Sequence, residues 1–215
     1  MKIRDFKRHT IVRSNPTHRD DYTAYRSYLC ADFEGRCAYC NLHYHSITTP
    51  YEIDHFIPVK AFEGIKDELL TDYTNLVYSC KKCNIAKGHQ FSGDLSLPNP
   101  TNELFYDPCK KDYNDVFFRD EHGAIASDDP KGQEMIDRLK LYRPIHILGW
   151  LCEEIVYTID QLQVAIDAER DLERKKVLQE AKSKMDSQYV KYNRLFLASY
   201  NDKTFAIERM EQMVK

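Results

Sequence analysis

The C-terminal part of the chain carries the longest regular pattern of apolar positions. Apolar residues recur every three or four positions from Leu148 to Ile166, which is the spacing that places side chains on one face of an α-helix. The segments that follow, "DAERDLERKKVLQEAKSKMD", "YVKYNRLFLASY" and "TFAIERMEQMVK", mix charged and apolar residues without turn signals. We therefore predict a mainly α-helical C-terminal region over residues 130–215, whose apolar stripe packs into a core.

Shorter patterns predict a different structure nearer the N-terminus. Tyr22, Tyr25, Leu29 and Phe33 stand at helical spacing before Gly35, so residues 20–34 should form a helix that ends there. Together with the basic residues that precede it, this helix makes up a predicted N-terminal arm and helix over residues 1–35.

The middle of the chain reads as short strands joined by one short helix. The runs "YEIDHFIP" and "NLVYS" are rich in β-branched and aromatic residues, as strands are, and "CKKCNIAKG" predicts a helix closed by Gly88. Residues 91–108 are rich in Pro, Asn, Ser and Gly and predict an irregular linker. "NDVFFRDEHGAIAS" predicts a hairpin that turns near His122-Gly123. We place a compact core at 36–92 and the linker with its hairpin at 93–129.

The amino-acid composition is that of an ordinary globular protein. Apolar residues make up 42% of the chain and charged residues 30%, which are usual values. The N-terminus is too charged for a signal peptide, and no apolar run approaches the roughly 18 residues that span a bilayer. The cytoplasm is therefore the expected location.

The charge is near neutral overall but uneven along the chain. A net charge of −3 argues against a protein that binds nucleic acid over its whole surface. The first 19 residues, however, hold six basic residues and one acid. Either a solvated surface or contacts to phosphate would explain this cluster and the second one, Lys81, Lys82 and Lys87.

Four of the seven cysteines stand in two C-x-x-C pairs, Cys37 with Cys40 and Cys80 with Cys83. Each pair can turn two sulfur atoms toward one point, and four thiolates suit a tetrahedral Zn²⁺ that has no open coordination position. We therefore predict a structural zinc site. His43 and His45 follow Cys40 closely, but four thiolates already complete the shell.

The residues between and beside the cysteine pairs resemble the HNH endonucleases. "EIDHFIP" is followed by Asn75 before a short apolar run, then by Asn84 directly after Cys83, and then by Lys87. The zinc-bearing branch of that family shows the same order of motifs. The resemblance covers about residues 36–90. It implies an α+β protein with a ββα-metal core, a hairpin crossed by a helix, ahead of the helical C-terminal region.

The resemblance also implies a division of roles that fits the residue types. His55 would accept a proton from water, while the oxygen atoms of Asp54 and Asn84 suit Mg²⁺ or Mn²⁺. By analogy with the family, Asn75 would hold His55 or the intervening loop. Lys87 would contact substrate phosphate from the same helix face as Asn84. These assignments and the second basic cluster define the predicted sites. The predicted catalytic residues are His55, Asn75, Asn84 and Asp54, and the predicted nucleic-acid contacts are Lys87, Lys81 and Lys82.

One geometric difficulty accompanies this prediction. Adjacent residues of a regular strand point to opposite faces of the sheet, so Asp54 and His55 share a site only if that site lies over the end of the strand or if the strand is distorted. Glu52 shares a strand face with Asp54, and we expect it to lie outside the site.

Farther along, "FYDPCKKDYNDVFFRDEHGAI" and "MIDRLKLYRPIHILGWLCEE" resemble the tails of PtuB-like HNH proteins, which Septu and retron-associated antiphage systems encode beside ATPases. This second resemblance implies a defence or restriction nuclease that binds an ATPase partner through its C-terminal helices. DNA is the expected substrate ahead of RNA. The alternative is a non-catalytic zinc module that binds nucleic acid or protein within a larger complex. The intact set of His55, Asp54 and Asn84 favours the enzyme.

Overall fold

The structure is a computed structural model that describes residues 4–47, apart from the Tyr44 side chain, and residues 49–201. The chain divides into two compact units, Met1–Tyr142 and Arg143–Lys215. Strands and short helices make up the first unit and long helices the second, which confirms the predicted α+β class with a helical C-terminal region.

The first unit begins with a two-residue strand and a helix. Strand β1 is Arg4–Asp5, and helix α1 is Arg26–Asp32. A 3-10 turn, Tyr22–Tyr25, precedes α1, and the Asp21 carboxylate caps this turn by accepting the Thr23 amide at 2.8 Å. The predicted helix over 20–34 is therefore present, but its first turn is wound more tightly than an α-helix.

The centre of the unit is an antiparallel hairpin followed by a helix. Strand β2, Glu52–His55, pairs with strand β3, Leu76–Ser79, so that Glu52 lies opposite Ser79 and His55 opposite Leu76. The loop between the strands contains helix α2, Val59–Phe62, and helix α3, Lys81–Lys87, follows β3. Helix α3 ends at Gly88, whose φ of 52° is readily adopted by glycine. This arrangement is the ββα core expected from the resemblance.

A second small sheet forms farther along the chain. Strands β4, Phe118–Arg119, and β5, Ile125–Ala126, make the predicted hairpin. Strand β1 pairs antiparallel with β4 and extends the sheet to the order β1-β4-β5. Helix α4, Pro130–Leu139, begins after Asp129, whose carboxylate accepts the Gly132 amide at 2.8 Å. Because α4 packs against α3 and β5, it belongs to the first unit.

Two basic residues of the N-terminal arm point into the first unit. The Lys7 side chain is buried, and its ammonium lies 3.5 Å from the Asp112 carboxylate. The Arg13 guanidinium lies over the Tyr73 ring at 4.1 Å and donates to the Tyr73 carbonyl oxygen. These two cations therefore stabilise the fold, and the phosphate contacts considered for the arm do not include them in this arrangement.

The half-buried His9 makes the stability of the first unit sensitive to acid. Burial, with Lys7 and Arg36 nearby, lowers the pKa of His9 from 6.5 to about 4. Between those values the unfolded chain binds a proton that the folded chain does not, so stability falls as the pH drops from 6.5 toward 4. We therefore expect the stability of His9→Gln, measured by calorimetric melting at a series of pH values, to fall less than that of the wild type between pH 6.5 and 4. His18→Gln, at an exposed position, should lose stability with falling pH as the wild type does. An equal loss of stability in all three proteins would contradict the assignment to His9.

The second unit is a pair of long helices that pack against each other. Helix α5 is Pro144–Ala168 and helix α6 is Leu172–Asn201. Burial in α5 is concentrated in its first turns, at residues such as Leu148 and Cys152, and in α6 near its end, at residues such as Phe196. Within the described ranges no helix is long and apolar enough to cross a membrane. The predicted helical segment over 202–215 lies outside the described residues.

Candidate active site and zinc site

The four cysteines of the two C-x-x-C pairs converge on one point. Their sulfur atoms all lie within 4.8 Å of one another, and all four residues are buried. The sulfur atoms of Cys40 and Cys80 are 3.8 Å apart. A tetrahedral Zn²⁺ with Zn–S bonds of about 2.3 Å sets its sulfur atoms about 3.8 Å apart. The cluster therefore fits the predicted structural zinc, and among the described residues it includes neither His43 nor His45.

Backbone hydrogen bonds hold the first cysteine pair in place, and we call this tight turn, residues 37–42, the knuckle. The Asn41 amide donates to the Cys37 carbonyl oxygen at 2.9 Å, and Asn41 has a φ of 64°. The Ala38 amide donates to the Tyr78 carbonyl oxygen at 2.8 Å, which attaches the knuckle to β3. Cys80 is the N-cap residue of α3, and Cys83 lies in its first turn. The cluster thus joins the knuckle, the end of β3 and the start of α3.

A cleft lies between the end of β2 and helix α3. Asp54, His55 and Asn84 all line it, together with the apolar side chain of Ile85 and the exposed His89. His55 is the last residue of β2, so the cleft forms where the strand stops. Adjacent residues therefore reach one site over the strand end, which is one of the two solutions that the sequence allowed.

The imidazole of His55 is held by one hydrogen bond and two rings. Its Nε2 lies 2.9 Å from the Leu70 carbonyl oxygen. Because a carbonyl oxygen only accepts, Nε2 carries a hydrogen, and in the neutral imidazole Nδ1 then keeps its lone pair. The Tyr22 ring meets the imidazole edge-on at 4.8 Å, and the Phe62 ring is 6.1 Å away. Burial lowers the pKa of His55, which favours the neutral, proton-accepting form.

Both oxygen atoms of the Asp54 carboxylate accept hydrogen bonds from buried donors. The Tyr39 hydroxyl donates to Oδ2 at 2.5 Å, and the Lys87 ammonium donates to Oδ1 at 3.0 Å. Burial raises the pKa of Asp54, although the Lys87 charge opposes that shift. An ionised carboxylate has about four lone-pair directions, so two remain on Asp54 for a cation.

Lys87 lies in a different place from the one predicted. The residue is fully buried, and its ammonium donates to the Asp54 carboxylate and, at 2.7 Å, to the His55 carbonyl oxygen. A phosphate cannot reach it in this arrangement. Lys87 lies on the predicted helix, one turn beyond Asn84, but its side chain turns inward because a carboxylate buried beside it needs a cation. Lys87 therefore supports the site by holding Asp54 and the end of β2, and the predicted phosphate contact of Lys87 is not compatible with its burial.

Asn84 is oriented by Glu52. The Asn84 Nδ2 donates to the Glu52 carboxylate at 2.7 Å. Because a carboxylate only accepts, this contact assigns the amide nitrogen to Glu52 and leaves the amide oxygen of Asn84 available to a cation. Glu52 does not line the cleft, in agreement with its expected place outside the site, but it acts on a residue that does.

Asn75 lies behind the cleft and fastens the loop that follows β2. Its amide oxygen accepts from the Ile57 amide at 2.8 Å, and its amide nitrogen donates to the carbonyl oxygens of Ile57 and Leu69, at 3.2 and 3.1 Å. The neighbouring carbonyl of Leu70 is the one that His55 contacts. Asn75 thus reaches His55 only through the loop, which was one of the two alternatives predicted for it.

The other predicted nucleic-acid contacts lie on the first turn of α3. Lys81 is exposed and Lys82 is half-buried. Both precede Asn84 on the same helix, but neither lines the cleft.

Several residues that support the site carried no recognisable signal in the sequence. Tyr39 contacts Asp54 across 15 positions of the chain, and Tyr22 contacts His55 across 33. Glu52 was recognisable by its spacing from Asp54, but its partner Asn84 lies on another element. Nothing in the sequence distinguishes His89 from the other histidines, and only the fold shows that it lines the cleft.

Comparison with known proteins agrees with this geometry. Residues 37–90 match the family model described as HNH endonuclease. The chain is also similar to the Septu protein PtuB of Bacillus thuringiensis, with 32% identity over 66 residues. That alignment covers 31% of this chain and 24% of the relative, so the chain matches about a quarter of the length of that protein. No solved structure shows a significant match.

Proposed function

We propose that this chain, whose residues 37–90 match the HNH endonuclease family, is a metal-dependent endonuclease that hydrolyses phosphodiester bonds in nucleic acid. One observation carries the proposal. An imidazole, a carboxylate and a side-chain amide line a single cleft over the end of β2. These are the groups that an activated water and a hard divalent cation require.

In the proposed reaction, one side chain accepts a proton and two others hold the cation. Nδ1 of His55 accepts the proton of the water that attacks phosphorus, and the bond from phosphorus to the leaving oxygen breaks. Asp54 and Asn84 would hold Mg²⁺ or Mn²⁺ through their oxygen atoms. When bound, the cation supplies positive charge that offsets the negative charge growing on the phosphate. The hydrogen bond from Nε2 to the Leu70 carbonyl oxygen holds the imidazole so that Nδ1 is free to accept that proton.

The proposal extends to the substrate and to a partner. Lys81 and Lys82 would meet backbone phosphates beside it. DNA is the proposed substrate ahead of RNA. The likeness to Septu PtuB supports a role in antiphage defence, and we include an ATPase partner in the same proposal. The second unit offers candidate contacts for that partner, since α5 exposes Val156, Tyr157 and Val164.

The metal requirement tests the proposal. Zinc-loaded protein should cleave supercoiled plasmid DNA when Mg²⁺ or Mn²⁺ is added and should not do so when both are omitted. Asn84→Ala removes a cation-binding oxygen and should raise the metal concentration for half-maximal cleavage by at least about 10-fold. Asn15→Ala, at an exposed position, should leave that concentration unchanged.

Three results would change the conclusion. Cleavage that continues without added metal would contradict the metal-dependent mechanism. Cleavage of RNA alone would reverse the substrate preference. If neither DNA nor RNA is cut, even with the candidate ATPase present, the alternative of a non-catalytic zinc module would take the place of the enzyme.

A further inference from the structure

The knuckle carries a side chain that reaches the cleft residues. Tyr39 lies between the ligand cysteines Cys37 and Cys40 and is completely buried. Its hydroxyl extends to β2 and donates to Oδ2 of Asp54 at 2.5 Å. This is the shortest of the contacts that the Asp54 side chain makes among the described residues.

A second buried donor holds the other oxygen of the same carboxylate. Lys87, at the last turn of α3, donates to Oδ1 of Asp54 at 3.0 Å. With one donor on each oxygen, rotation of the carboxylate breaks at least one hydrogen bond in a buried environment, where an unmade hydrogen bond is costly. The direction of the remaining lone pairs is therefore fixed.

Both donors stand on segments that the cysteine cluster joins. Tyr39 is carried by the knuckle, and Lys87 by the helix whose first turn holds Cys80 and Cys83. The distance between the two donors, and hence the placement of Asp54 between them, depends on the knuckle and α3 being fastened together.

We propose that Tyr39 is a positioning residue for the cation of the cleft. Its hydroxyl orients Asp54 so that the free lone pairs of the carboxylate meet the divalent metal, and through it the zinc knuckle sets the metal affinity of the active site. The inference rests on the proposed nuclease function, because it assumes that Asp54 holds a cation.

The chain offers a matched control for testing this role. Tyr51 is also buried, and its hydroxyl donates to the Leu42 carbonyl oxygen of the knuckle at 2.5 Å without contacting Asp54. Tyr39→Phe and Tyr51→Phe each remove one buried hydroxyl that bonds within this region. Only the first removes a hydrogen bond from the carboxylate.

The experiment measures Mn²⁺ binding to zinc-loaded protein by isothermal titration calorimetry in the absence of nucleic acid. Zinc content, melting temperature and the Mn²⁺ dependence of cleavage are measured in parallel. Tyr39→Phe should weaken Mn²⁺ binding by about 10-fold or more, as loss of the partners of metal ligands commonly does, and should retain its zinc. At saturating Mn²⁺ its cleavage rate should return close to that of the wild type. Tyr51→Phe should bind Mn²⁺ as the wild type does.

Each other outcome overturns the positioning role. Unchanged Mn²⁺ affinity in Tyr39→Phe would show that the hydroxyl does not act on the cation site. Equal weakening in Tyr51→Phe, or loss of zinc from Tyr39→Phe, would assign the hydroxyl to the stability of the knuckle. Failure of the proposed function is distinguishable, because the wild type itself would then neither bind Mn²⁺ in the cleft nor cut nucleic acid.

Discussion

Replacing His55 by alanine is expected to lower the rate of metal-dependent cleavage by about 100- to 10,000-fold, the usual contribution of a general base. Among the described residues that line the cleft, only His55 has a buried imidazole, and its Nε2 lies on the Leu70 carbonyl oxygen so that Nδ1 can accept a proton. Its loss leaves the cation-binding oxygens of Asp54 and Asn84 in place. Single-turnover cleavage of plasmid DNA at saturating Mg²⁺ measures the effect, and Mn²⁺ affinity should change little.

Two further variants separate chemistry from folding. His55→Gln keeps an amide nitrogen that can donate to the Leu70 carbonyl oxygen, yet it has no basic atom, so it should be as inactive as His55→Ala while melting closer to the wild type. His122→Ala changes an exposed histidine on the turn between β4 and β5 and should cleave normally. Cleavage by His55→Ala at the wild-type rate would remove His55 from the mechanism.

Replacing Cys80 by serine should remove the zinc and unfold the core around it. Cys80 is one of four buried sulfur ligands and also the N-cap residue of α3. Structural zinc contributes directly to the free energy of folding, so we expect the free energy of unfolding to fall by several kcal/mol or more. In a domain of this size, each kcal/mol lowers the melting temperature by about 2–4 °C. Zinc content by mass spectrometry and melting by circular dichroism measure the two effects.

Cys30→Ser supplies the control for the zinc prediction. Cys30 is a free, half-buried cysteine of α1 that lies outside the cluster, so its variant should hold one zinc per chain and melt near the wild type. A Cys80→Ser protein that kept both its zinc and its melting temperature would disprove the four-cysteine site.

The parts of the site that could be predicted from the sequence are the parts set by local spacing. Two C-x-x-C pairs predict a tetrahedral thiolate site because each pair brings its own two sulfur atoms together. The Asp54-His55 pair before Pro58 identified the strand that lines the cleft. The hairpin, α3 and the helices α4 and α5 also agree with their sequence patterns, since hydrophobic periodicity is local information.

The parts that could not be predicted depend on contacts between distant segments. Lys87 sits on the predicted helix, but its side chain turns inward to Asp54, which lies 33 positions away. Arg4–Asp5 forms a strand only because β4 offers an edge to pair with, and nothing in two charged residues predicts that pairing. A single 30-residue helix, α6, likewise joins segments that the sequence left separate.

Residue type and short spacing were enough to predict the four-cysteine zinc site, the strand and helix that form the cleft, and the chemistry that their side chains suit. How these side chains are held depends on contacts that form only in the folded chain. They set the Asp54 carboxylate between Tyr39 and Lys87 and give the amide nitrogen of Asn84 to Glu52, which leaves its amide oxygen available. They also place Nε2 of His55 on the Leu70 carbonyl oxygen, which leaves Nδ1 as the proposed base. The reason is physical: a buried polar group must find its partners wherever the fold supplies them, and those partners lie on other elements.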